Sequence, residues 1–395
     1  MGSNRRRIAR GLVATGACAG LVGCPEPPTT PPPAAPPDTR PVATAPARGA
    51  PDAAPLAAID AQAQRGGQPT AFKPEPVWGE AQAMGTHIAF ATYTTPSVDR
   101  ARATAIFGRA TDEIRRIEAL MTTWRPDTEL SRLNAAAGKQ AVKLSAETFF
   151  LVEESIRNGD LSGGTFDITF ETLHGLWKFD EDLDPHPPTK EAVRARLSGV
   201  SYKHLELDRA ASTARIKRAG TKVSLGGIAK GYAVDQATKI LDEGGLRSFF
   251  VQAGGDLFAR GTKPDGTGWQ AGVRDPRGPE NSFFAVLSLS DRAFSTAGDY
   301  ARSYVVDGVR YHHIIDPRTG FPATASRSVT IWARTALQAD GIDDAVFILG
   351  PKKGLELVES LDGVGAVIVD RDNKVWVSER LKPVLTLVRQ PTDGV

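Results

Sequence analysis

Three stretches of this chain of 395 residues carry side-chain types and spacings suited to chemistry. The first is ALQADGIDDAVFIL, residues 336–349, where Asp340, Asp343 and Asp344 stand at i, i+3 and i+4, on one face of an otherwise largely apolar helical pattern. Three carboxylates so placed repel one another and are costly to bury unless a cation joins them. Oxygen ligands in this pattern suit Mg²⁺, which needs few protein carboxylates and completes its shell with phosphate and water. A solvated acidic edge is the competing reading.

The second stretch is KVSLGGIAKGYAVDQATKIL, residues 222–241. A short strand is expected to enter the Gly226-Gly227 corner and pass into a helix from Ile228. That would present first-turn N–H groups to whatever lies in front, with Lys230 just inside. This suits a phosphate, although the glycine spacing fits neither a Walker A loop nor GxGxxG, and a tight packing corner explains it equally well. The third stretch, YHHIIDPRTG at 311–320, sets His312 beside His313 where a strand, Tyr311 to Ile315, runs into turn chemistry. Alternation sends the two rings to opposite faces, so at least one points inward, and a lone inward histidine is more often a satisfied core residue than a catalyst.

Two weaker signals, AGGDL from Ala253 and STAGDY from Ser295, are glycine-bearing polar segments at strand ends, where a ligand can approach the backbone. Residues 180–191, DEDLDPHPPTKE, imitate an EF-hand loop, but Pro185 stands where the loop needs glycine, so it reads as a solvated loop. GxSxG and HExxH are absent. A phosphate corner, an Mg²⁺-type acid cluster and a histidine beside a turn together describe phosphoryl chemistry on a bound nucleotide.

The elements that must position these groups alternate without a repeat. Helices are expected at 104–121, 146–157, 228–241 and 336–349, and strands at 248–252, 283–289, 311–315, 328–332 and 364–369. The strand-rich second half implies an α+β fold with mainly antiparallel sheet.

At the N-terminus, Arg5, Arg6, Arg7 and Arg10 precede a short apolar run to Gly23, the pattern of an export signal over residues 1–23. Leu21-Val22-Gly23-Cys24 resembles the lipobox of bacterial lipoproteins, which makes Cys24 the expected lipidation site and places the protein, lipid-anchored to a membrane, on the periplasmic side. The other cysteine, Cys18, lies inside the removable segment, so disulfides, thiol nucleophiles and Cys-ligated zinc drop out. Residues 25–76 hold 15 of the 28 prolines and cannot bury a core. The segment 24–76 is therefore a tether, reaching about 40 Å as a coil and roughly 160 Å fully extended. Residues 77–395 form the body. Lys plus Arg number 48 against 46 Asp plus Glu, a balance that suggests no nucleic-acid surface.

From Met84 to Val369 the chain resembles the ApbE family of FAD:protein FMN transferases, block by block and in order: MGT at 84, MTTWRPDTELSRLN at 121, GGTFDIT at 163, LGGIAKGYAVD at 225, AGGDL at 253, STAGDY at 295, HIIDPRTG at 313 and ALQADGIDDAVFILG at 336. The resemblance implies an ApbE or T-fold-like body with FAD in a cleft between two lobes. It also implies a reaction in which a threonine hydroxyl of a target redox protein attacks the FMN-side phosphorus of FAD and AMP leaves. By the same resemblance Met84, Trp124, Thr165, Phe166, Asp167, Ser224, Lys230 and Ile314 contact FAD. Mg²⁺ falls to the Gly227 carbonyl, Asp340 and Asp344, with Asp343 as a further ligand. His313 is the base or positioner for the threonine, and His312 is filler.

The chain departs from the family at Ser224, usually Asp, at Asp344, usually Thr, and at Glu171-Thr172-Leu173, usually Gly-Pro-Leu. An Mg²⁺-dependent FAD pyrophosphatase and a non-catalytic FAD-binding lipoprotein are the alternatives on the same scaffold.

Overall fold

A computed structural model describes residues 72–179 and 183–394. The expectations for the signal segment, Cys24, the tether up to residue 71 and residues 180–182 of the EF-hand-like loop lie outside the described residues.

Eight strands form the central sheet, in the order Pro76–Ala83, Thr86–Tyr93, Phe249–Ala253, Asp256–Arg260, Arg292–Gly298, Ser326–Ala333, Gly365–Asp370 and Val375–Val377. Every neighbouring pair is antiparallel. The inner strands are buried on both faces, so they read as continuous apolar runs and alternation is visible only in what they touch. Phe249 and Val251 face one core, and Phe250 between them faces another.

Helices cover one face. Helix α1 (Arg100–Met121) brings Ile106, Phe107, Ile114 and Ile117 to that core, and α2 (Glu129–Ala135), α3 (Ala146–Leu161) and α4 (Lys190–Leu197) build the flank around it. Helix α5 (Ala229–Glu243) and helix α6 (Ala336–Ser360) pack beside each other, α6 laying Ile342, Val346 and Phe347 on Val329, Ile331 and Ile368. On the other face a small sheet of Trp269–Arg274, Phe283–Leu289 and Leu385–Leu387 sets Trp269, Phe284 and Leu287 against Phe250, Leu257 and Phe294. Each such buried side chain contributes about 1.5–3 kcal/mol. The fold is the expected α+β arrangement with an antiparallel sheet and flanking helices.

Local chemistry sets the boundaries. Helix α1 begins at Arg100, before the expected residue 104, because Asp99 caps it by accepting Arg102 N at 2.8 Å. Helix α3 runs on to Leu161, past the expected 157. The helical run from Ala336 breaks at Gly350, whose φ of 74° is followed by Pro351. The expected strand Tyr311 to Ile315 divides instead: Val309–His312 pairs with Ser303–Val306, and Ile315–Asp316 pairs with Phe321–Pro322. The strand expected to lead into Gly226-Gly227 is absent, and residues 221–225 are irregular.

Candidate active site

Helices α5 and α6 cap each other. The N-cap of α5, Ile228, has no side-chain acceptor, and the N–H of Gly231 donates instead to Asp340 Oδ2 on α6 at 2.7 Å. In return Asp235 on α5 accepts Ala336 N and Leu337 N, the first amides of α6, at 2.8 and 3.0 Å. Burial pushes the Asp235 carboxyl up to about 6. The helices come this close because residue 231 is glycine: a Cβ there would lie 2.3 Å from the Ala336 carbonyl oxygen. The first turn of α5 is thus partly closed by Asp340, against the expectation of freely presented N–H groups.

This contact gathers the charges. Lys230 Nζ lies 2.7 Å from Asp256 Oδ2 and 3.2 Å from Asp340 Oδ1. Burial alone would lower its pKa, but the two carboxylates more than offset that and hold the ammonium form. Asp343, buried next to them, accepts Ser295 Oγ at 2.6 Å and its neighbour's amide, Asp344 N, at 2.6 Å. The Asp344 carboxylate has no partner among the described residues and points toward Gly227, where a Cβ would stand 3.7 Å from its Oδ2. Burial, then the like charge of Asp256, pushes Asp340 up to about 7, and burial pushes Asp344 up to about 6. Asp343 is raised well above the carboxylate range by burial and by Asp344, Asp340 and Asp256. The three acids therefore do share one face, Asp340 and Asp343 buried and Asp344 half-buried, with a fourth buried carboxylate, Asp256, beside them. Among the described residues no three His, Cys, Asp or Glu side chains already stand as a metal-ligating group.

The two histidines differ in their surroundings. His312 is buried, its Nε2 2.8 Å from the Ala323 carbonyl and its Nδ1 accepting Ile314 N at 3.3 Å, with its ring edge-on to Phe347. It is a satisfied core histidine, which corrects its reading as filler. His313 follows the end of the strand Val309–His312, half-buried, and its buried Nδ1 has no hydrogen-bond partner. Burial, reinforced by the charges of Arg302, His312 and Lys230, pushes the imidazole down to about 3, so it is neutral at physiological pH and, with no anion beside it, a weak base.

The expected FAD contacts differ in exposure and in partners. Trp124 is 82% exposed, with its indole 5.7 Å from the His174 ring. Met84 sits in a two-residue hairpin turn with Gly85, at φ 53° and 66°, a conformation that strains methionine. Ser224 is half-buried and its Oγ accepts Gly226 N at 3.3 Å. Thr165, Phe166, Asp167 and Ile314 are buried. Thr165 Oγ1 donates to the Ser162 carbonyl at 3.1 Å, and Asp167 accepts Thr169 N and Tyr202 N at 2.8 and 2.7 Å, so both spend polar atoms on the protein's own backbone. Ile314 packs in the core under α6. A separate cavity of about 600 Å³, lined by Phe150, Tyr232, Lys239 and Arg260, opens on the face of α5 opposite Lys230 and includes none of these residues.

Asp256, Ser295 and Asp235 escaped the assignment of roles from sequence. Their signals were present in AGGDL, STAGDY and GYAVD, but the pairing of Asp256 with Lys230 exists only through the sheet register that sets Asp256 opposite Ser295.

The ApbE family profile matches residues 84–368. The FAD:protein FMN transferase of Klebsiella pneumoniae is 30% identical over 313 residues, covering 78% of this chain and 88% of its own. That of Treponema pallidum is 34% identical over 277 residues, covering 66% and 76%. Among solved structures, the ApbE protein of Thermotoga maritima superposes with a TM-score of 0.71 at 31% identity, covering 78% of this chain and 99% of that one. The flavin transferase ApbE of Vibrio cholerae gives 0.71 at 28% identity, covering 79% and 100%. The chain belongs to the ApbE family.

Proposed function

We propose that the protein is an FAD:protein FMN transferase that moves FMN from FAD to a threonine hydroxyl of a target protein, with Mg²⁺ bound at the α6 acids. The observation that carries the reading is a buried Nδ1 of His313 left without a hydrogen-bond partner, in the same site as the Lys230 ammonium held by Asp256 and Asp340. Storage of a flavin needs no such base, which disfavours a passive FAD-binding protein.

In the step proposed, the threonine oxygen forms a bond to the FMN-side phosphorus while the bridging P–O bond breaks. AMP leaves with the bridging oxygen, and the hydroxyl proton passes to His313. Lys230, held as ammonium by Asp256 and Asp340, faces the pyrophosphate charge. Met84, Trp124, Ser224, Thr165, Phe166, Asp167 and Ile314 would contact the flavin nucleotide, as the family resemblance implies.

The donor set fits a divalent cation: of four neighbouring carboxylates only Asp256 and Asp340 contact the one ammonium, the Asp344 carboxylate makes no hydrogen bond or ion pair among the described residues, and the buried Oδ1 of Asp256 lacks any hydrogen bond. Asp340, Asp343, Asp344 and the Gly227 carbonyl would hold Mg²⁺, which when bound neutralises pyrophosphate charge. Export and acylation at Cys24 belong to the same proposal and would set transfer on the periplasmic side of a membrane. Cys24→Ala should then take up no labelled lipid, and undiminished labelling would refute the anchor.

Incubation of the full chain with FAD, Mg²⁺ and a candidate acceptor, followed by intact mass of the acceptor and assay of free FMN, tests the reaction. Acceptor mass rising by one FMN with AMP released is expected. FMN released free with the acceptor unmodified would make the protein an FAD pyrophosphatase, and FAD bound but intact would make it a flavin carrier.

A further inference from the structure

Lys230 has two carboxylate partners of different kinds. Asp340 divides its oxygens, one on Lys230 at 3.2 Å and one on the N–H of Gly231 at 2.7 Å. Asp256 is fully buried, holds Lys230 at the shorter 2.7 Å and has its other oxygen free of any hydrogen bond. It has no exposure to bulk solvent, so its charge acts on the ammonium with little screening. Its place is fixed by the backbone: Asp256 opens its strand directly after Gly254, at φ 60°, and Gly255, where a Cβ would stand 2.9 Å from the Thr296 carbonyl.

From this arrangement we infer that Asp256 is a positioning residue for the reaction, acting through Lys230. It draws the ammonium toward the sheet and away from Asp340, setting where Lys230 meets the pyrophosphate and leaving Asp340 available to other ligands. Without it, Lys230 would close onto Asp340, its remaining partner. Ser295, directly opposite Asp256 in the sheet register, holds Asp343 from the same level, so two adjacent strands brace both charges of the site. The inference rests on the proposed FAD chemistry, in that Lys230 is taken to face the FAD pyrophosphate.

A double-mutant cycle on the full chain tests it, with Asp256→Asn, Lys230→Gln and the pair, each measured for FAD cleavage and for FAD affinity by quenching of flavin fluorescence. Asp256→Asn keeps the side-chain shape, and Asp256→Glu, which restores the charge, serves as the rescue. Asp256→Asn is expected to lower kcat about tenfold with less than about a threefold change in KM, to be partly restored by Glu, and to have almost no further effect once Lys230 is Gln. An equal loss in both backgrounds, or a loss of thermal stability with kcat unchanged, would overturn it. Should the wild-type protein bind FAD without cleaving it, the proposed function falls. The cycle on FAD affinity then judges the inference: coupling between the two positions supports it and additivity refutes it.

Discussion

Asp340 on α6 accepts the backbone N–H of Gly231 on α5 at 2.7 Å, so the helix that carries the acids also closes the first turn of the helix that carries Lys230. Site and scaffold share this contact, and disturbing it should disturb both.

Gly231→Ala places a methyl group 2.3 Å from the Ala336 carbonyl oxygen and 2.7 Å from Asp340 Cβ. Backbone cannot yield there without separating the helices, so the variant should lose about 1–3 kcal/mol of stability and bind FAD more weakly. Urea denaturation and flavin titration read the two effects. A variant as stable as the wild type would mean that the helices have room to move.

The acids make a pH prediction whose sign follows from their raised values. Asp340 at about 7 and Asp344 at about 6 keep protons in the fold that the unfolded chain has released, so their stabilising contribution is full below about pH 4 and lost as pH rises through about 6 to 7. In EDTA the unfolding temperature should therefore fall between about pH 6.5 and pH 8, above the range where the lowered histidines His312 and His313 act with the opposite sign, and added Mg²⁺ should shrink that fall. A Tm that rises over this interval in EDTA would contradict the burial of these carboxylates.

His312→Ala removes a buried ring that receives Ile314 N and contacts the Ala323 carbonyl and Phe347. Loss of packing and two stranded backbone groups should cost about 2–4 kcal/mol. At a temperature where the variant remains folded, FMN transfer should persist. Unchanged thermal unfolding would mean that the ring contributes no packing.

Long periodic segments and turn residues made much of the scaffold legible. The apolar stripe from Ile106 to Leu120 and the acid face of α6 gave two helices with one correct end each, Met121 and Ala336. Phe283–Leu289 was readable to the residue because a run bounded by turn chemistry has few alternatives. What could not be read depends on distant pairing. The break within 311–315 arises because the strand ends on His312, which turns into the core beneath α6, and no local pattern encodes that. The acid face was visible as helical spacing, but its fourth carboxylate, Asp256, joins it only across the sheet. The two reciprocal caps likewise join residues about a hundred positions apart, beyond any local rule.

The account turns on His313. Burial pushes its imidazole down to about 3, so it is neutral across the physiological range and should add no inflection near pH 6.5 to the rate of transfer, and the anionic pyrophosphate of bound FAD is what would strengthen it as a base. Positioning and charge neutralisation by Lys230 and the acid cluster remain when the ring is removed, while the base itself supplies about 10²–10⁴-fold. The direct measurement is the single-turnover rate of FMN transfer from saturating FAD to a modified acceptor, for the wild type and His313→Ala, alongside FAD affinity. A fall of that size with affinity within about threefold is the result the account predicts. Transfer by His313→Ala at the wild-type rate would contradict it and reduce His313 to a structural residue like His312.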